Sequence, residues 1–242
     1  ILGNVILRKN EYHQTSDIHI SRSMMITLVL STISLMIPMS LLTQKGYHSL
    51  WVWPILLIAI FFIVNFIITN RQATHPIVHF HTLFSKKPFV GATMAISSHL
   101  TLLTGIAGIN VYIVRILKLP FDISLHFYFF FFVGVIITGI LKMFFYSSVG
   151  AGFLGTLGSS ALLYVSIHWI ILGNTINIPL LYIQGLLLGF GASMTLVSGS
   201  MATLLDGDLK EAAQRSQTMH TIRNFSAAML IPIIAYTIKN HI

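Results

Sequence analysis

Apolar residues run in long unbroken stretches at about 23–43, 51–69, 89–114, 123–146, 150–172 and 178–205, with short polar segments between them. Each stretch is long enough to cross roughly 30 Å of hydrocarbon as a helix, which takes about 20 residues. No acidic residue interrupts any of them until Asp206 closes the sixth. A seventh apolar run, about 224–238, begins after Arg223 and contains Pro232. The pattern predicts an all-α, polytopic transmembrane helix bundle. Pro38 inside the first run is compatible with this, because neighbouring groups in a bundle take up a freed backbone carbonyl. Trp51, Trp53 and Pro54 open the second run as an interfacial aromatic belt.

The polar segments divide the chain. Residues 1–22 end an apolar stretch already under way and continue into a charged loop. Residues 23–69 form two helices. Residues 70–88 are the longest polar stretch in the middle of the chain, closed by Lys86 and Lys87, and residues 89–242 supply the remaining bundle. With its first apolar turns at Ile1–Leu7 and its last run just before Ile242, the chain reads as a segment of a larger protein.

Composition sharpens this picture. Hydrophobic residues make up 55% and charged residues 8%, and the mean hydropathy is +0.83, more apolar surface than a water-soluble core absorbs. The formal charge of +8 would suit a nucleic-acid surface, but Lys and Arg stand singly or in pairs between apolar runs and form no patch, so no nucleic acid is expected. Their distribution is instead one-sided. If residues 8–22 face the cytoplasm, alternate loops hold ten of the fourteen Lys and Arg, and the opposite loops hold only Lys45, Arg115, Lys118 and Lys239. That is the positive-inside pattern of a multi-pass membrane protein. The absence of cysteine removes disulfides, thiol catalysis and Cys-based zinc sites.

Candidate chemistry is sparse. Ala151, Gly155 and Ser159 recur every four residues, as do Gly185, Gly189 and Ser193. That spacing lets helix backbones approach closely, either as static packing or as sliding contacts. His75, His79 and His81 cluster in a loop without the matching ligands elsewhere that a metal site needs, so no metal or cofactor is expected. His99 lies some ten residues into its run, where an ionisable group is a functional candidate, although a buried neutral histidine bonded to a carbonyl fits as well. Asn110 and Gln184 are uncharged polar groups that either join helices or line a pathway. All six acidic residues sit in loops or at run ends, so the embedded carboxylate typical of a proton-driven carrier is missing from these spans. No Ser-His-Asp order, phosphate-cradling loop or HExxH occurs, and no enzyme is expected.

The order of the segments resembles the fourteen-span drug:proton antiporters of the major facilitator superfamily. The loop His75-Pro76-Ile77-Val78-His79-Phe80-His81-Thr82-Leu83-Phe84-Ser85-Lys86-Lys87-Pro88-Phe89 stands where that family has a "P-L-L-D-L-R-L-F-x-x-R-x-F" loop. Leu186-Leu187-Leu188-Gly189-Phe190-Gly191 is similar to its "L-x-x-G-x-G" span, and Thr218–Phe225 to its "L-x-N-x-x-R-x-x-G" segment, with Arg223 on the arginine. Tyr112 matches a family tyrosine, but Val114 replaces the glutamine two residues on; Ser226 and Ala227 replace the paired glycines. The resemblance implies the two extra central helices plus most of a major-facilitator-like C-terminal half, with an N-terminal half of the same protein as partner. It implies secondary transport, in the form of proton-coupled efflux of amphipathic organic compounds or drugs, with membrane lipid, a small organic substrate and protons as further partners. By this reading His99, Asn110, Tyr112 and Gln184 face the substrate pathway. Gly185, Gly189 and Arg223 serve structure or gating, Arg223 by bonding carbonyls or an acidic group at its span end. The competing expectation is a small self-contained membrane protein, a lipid-modifying enzyme or an assembly subunit.

Overall fold

A computed structural model describes residues 22–172, 177–205 and 211–241. The expected N-terminal loop, the short turn before Asn177 and the acidic pair Asp206 and Asp208 lie outside the described residues. What is described is an all-α helical bundle without a strand. Helix α1 is Arg22–Lys45, α2 is Val52–Gln72, and α3 is Lys86–Val111, continued by a π-helical turn at Tyr112–Ile116. The stretch Phe121–Leu172 is broken at Gly150, which divides it into the arms α4 (121–149) and α5 (151–172). Helices α6, Ile178–Leu205, and α7, Ala212–His241, complete the order. Six helices, with Phe121–Ile171 counted as one, are long and apolar enough to cross a membrane, and many of their large apolar side chains are exposed, as lipid-facing residues are. The protein is an integral membrane protein.

Contacts along α6 show how the broken stretch is arranged. Phe127 approaches Gly185, Phe131 approaches Gly189, and Lys142 reaches Met194, so α4 and α6 run in the same direction. Gly155 meets Ser198, Gly158 meets Thr195 and Trp169 meets Gln184, so α5 runs against α6. The two arms are therefore antiparallel crossings. Gly150 allows the reversal with φ 74° and ψ 172°, a backbone region that residues with a Cβ avoid. The sequence expects two separate runs here, and the structure joins them through one glycine.

The other helices alternate in the same way. Met24 packs with Phe66, and Leu42 with Val52, in an antiparallel α1–α2 pair. Gly91 lies against Gly199 and Ser98 against Ala192, so α3 opposes α6. Tyr47 stacks edge-on against Tyr236 at 4.7 Å, with Ser31 near Thr221, so α1 and α7 run together. Arg71, Lys86, Lys87 and Arg215 thus share one end of the bundle, and Lys45, Arg115, Lys118 and Lys239 the other, as the charge pattern predicts.

Helix α6 is the hub. It packs on α4 through Gly185 and Gly189, on α5 through Gly191, and on α3 through Gly199. Side chains of its neighbours donate to its carbonyls: Thr138 to Phe190 at 3.1 Å, Ser98 to Ala192 at 3.0 Å, and Lys142 to Met194 at 2.9 Å. The other expected small-residue stripe is placed differently. Leu154, Gly155, Gly158 and Leu162 form the buried face of α5, and Ser159 is exposed. The two large leucines fix that register, because burying them outweighs burying a serine.

The 70–88 connection is held by one side chain. Asn70, fully buried, donates from Nδ2 to the Val78 carbonyl at 2.6 Å, and its Oδ1 accepts from the Ile77 and Val78 amides at 3.0 Å. The His79 amide then donates to Thr218 Oγ1 at 3.0 Å, which ties the loop to α7. Burial holds the His79 imidazole below its ordinary pKa. The neighbouring His81 adds to this, and Glu211 works against it. The unfolded chain therefore takes up this proton first. His79 costs nothing at pH above about 6.5, and stability falls as pH drops below that value. Unfolding titrations at pH 7.5 and 5.5 are expected to show lower stability at pH 5.5, and His79→Gln is expected to flatten the difference.

Candidate functional site

A cavity of about 240 Å³ opens where the end of α3, the end of α5 and the start of α6 meet. Its walls include Gly108, Tyr112, Trp169, Asn177, Leu181 and Gln184. The floor is apolar: Ile109 and Leu181 line it and are buried in a cluster with Leu188, Phe127 and Phe131. One helix shape contributes directly. The π turn at Tyr112–Ile116 widens the end of α3 beside the cavity, and such bulges recur at functional positions.

The polar edge of the cavity has a fixed direction. Trp169 Nε1–H donates to Gln184 Oε1 at 2.7 Å, which orients the amide, because indole is only a donor. Gln184 Nε2 then points at His168 Nδ1, 2.9 Å away, so Nδ1 accepts and the ring proton sits on Nε2. Gln184 is fully buried and spends one oxygen lone pair and one N–H on these bonds. A ligand in the cavity would meet aromatic faces, an apolar floor and the unused capacity of one amide. That suits an amphipathic organic molecule.

The four expected pathway residues fall in three places. Tyr112 and Gln184 line the cavity. Asn110 Oδ1 instead accepts from Tyr128 O–H at 2.7 Å and joins α3 to α4. His99 lies far from the cavity, half-buried on α3 toward the other end, within electrostatic reach of Arg223. Gly185 and Gly189 are close-packing positions against Phe127 and Phe131. The bond between His168 and Gln184 has no signature in the sequence. Both partners lie near the short connection between α5 and α6, and an antiparallel pair brings such residues face to face.

The arginines near the start of α7 divide two roles. Arg215, fully buried, donates from Nε to the Thr203 carbonyl at 2.9 Å and from Nη2 to the Leu204 carbonyl at 2.8 Å. These carbonyls belong to the last turn of α6, which lacks backbone donors of its own. Glu211 lies 3.8 Å from Nη1. Carbonyl bonding at this end is thus the work of Arg215 rather than of Arg223. Arg223 is half-buried, and its Nε lies buried with no hydrogen-bond partner among the described residues. In comparisons with known proteins, no family model and no curated protein matches this chain.

Proposed function

We propose that the chain forms the major-facilitator-like C-terminal part of a secondary transporter, which exports amphipathic organic compounds across an inner (plasma) membrane against inward proton flow. The observation that carries this reading is the cavity at the α3–α5–α6 junction, apolar below and edged by an oriented amide and two aromatic rings. Two features support it further. The glycine contacts along α6 bring backbones close with little side-chain interlock, so helices there have room to slide. The ordered motifs around Gly189 and Arg223 resemble those of the fourteen-span antiporters. An N-terminal half of the same protein completes the pathway in this reading, and alternating access is a rocking of one half against the other.

The test is transport by the full-length protein in proteoliposomes with an imposed pH gradient. A fluorescent amphiphile is expected to accumulate only while the gradient stands. Gln184→Leu removes the oriented amide and leaves Trp169 and His168 unpaired. A lost neutral hydrogen bond is worth about 1 kcal/mol, so transport is expected to fall by roughly fivefold, with monodispersity unchanged. Uptake indifferent to the gradient and to Gln184→Leu would remove the proposal.

A further inference from the structure

Helices α3 and α7 run side by side, and Ala95 packs with Met219 between them. One turn further along each helix lie His99 and Arg223, and His220 stands beside Arg223 on α7. Arg223 is within electrostatic reach of both histidines. All three side chains are half-buried. The buried Nε of Arg223 has no hydrogen-bond partner among the described residues. Arg223 is eight residues beyond Arg215, roughly 12 Å further along α7 from the end of α6.

No acidic group balances this cluster among the described residues. Asp122 lies at the opposite end of the bundle, at the start of α4, and Glu211 is paired with Arg215. The neighbouring surface of α7 is polar as well, with Gln217 and Asn224 exposed on the side of His220. Lipid hydrocarbon solvates none of these groups, so a face of this composition within a span borders water or a polar ligand. What two imidazoles and a guanidinium recognise best in such a place is an anion. A guanidinium holds a carboxylate or sulfonate by paired, charge-assisted bonds, and the buried Nε–H of Arg223 is unpartnered among the described residues.

We infer that His99, His220 and Arg223 form an anion-binding station on the transport path, apart from the α3–α5–α6 cavity, so that the transported compounds are amphipathic organic anions. This rests on the transport reading and narrows it to one substrate class. The full-length protein in detergent is dialysed to equilibrium against three probes of one shape: naphthalene-2-sulfonate, neutral naphthalene-2-methanol and a naphthyl-trimethylammonium cation. The sulfonate is expected to bind at least tenfold more tightly than the other two. Arg223→Gln and, independently, His99→Gln are expected to abolish that preference. Retained binding of the neutral probe shows that each variant is folded. Equal binding of all three probes, or preference for the cation, overturns the anion site and leaves the transport reading standing. A carboxylate of the protein itself seated on Arg223 would give that same loss of preference. Failure to bind any of the three refutes both.

Discussion

Gly189→Leu is expected to separate α4 from α6 and to cost about 3 kcal/mol of stability, at the upper end of what overpacking does. A Cβ at Gly189 would fall on the carbonyl of Phe131, and the carbon and Cα of that residue are close behind. These are backbone atoms, so no rotamer change relieves the clash and the whole of α4 has to move. The movement would break the bonds from Thr138 to Phe190 and from Lys142 to Met194, which depend on the same helix separation. It would also disturb Phe127 and Phe131, buried in the cluster that floors the cavity. Gly139→Leu is the control, since a Cβ there meets nothing within 4 Å. Unfolding in mixed micelles should show a large loss for Gly189→Leu and little change for Gly139→Leu. Similar behaviour of the two variants would mean that α4 and α6 are not in backbone contact.

Arg215→Leu has the second large expected effect, also about 3 kcal/mol. Two hydrogen bonds from a charged donor, each worth about 1.5–3 kcal/mol, are lost, and two carbonyls at the end of α6 are left without their donor. The leucine regains part of this by burying apolar area in the same place. The positive charge also suits the C-terminal end of a helix dipole. Arg215→Lys is expected to recover part of the loss but not all, because an ammonium cannot present the two divergent donors of the guanidinium. Thermal unfolding of the three proteins should therefore rank wild type above lysine above leucine. A leucine variant as stable as wild type would remove Arg215 from its capping role.

The membrane weave was legible because hydrocarbon imposes lengths and charge sidedness that survive as simple patterns. The stripe at Gly185 and Gly189 was legible for a related reason, since close backbone approach needs small residues every fourth position. The stripe at Ala151, Gly155 and Ser159 satisfied the same spacing but lost to a register that buries Leu154 and Leu162. Small-residue spacing names a face only when the large residues beside it agree. Asn70 was invisible as the organiser of the loop because its partners are backbone groups of Ile77 and Val78, which carry no sequence signal. The choice between Arg215 and Arg223 depended on where α7 meets the end of α6, a distance that no local pattern encodes. Half of the expected pathway residues line the cavity. Asn110 does not, because the Tyr128 hydroxyl from α4 was within reach and satisfies it.

The central claim is that the described residues make seven membrane crossings, with the reversal at Gly150 making two crossings of one 52-residue stretch. The chain contains no cysteine, so single cysteines placed at exposed positions report sidedness directly. Thr74→Cys, Ser148→Cys and His48→Cys in the full-length protein, labelled in intact cells with a membrane-impermeant maleimide, make the comparison. Thr74 and Ser148 are expected to react from the same side of the membrane, and His48 from the other. Ser148 reacting together with His48 would contradict the account.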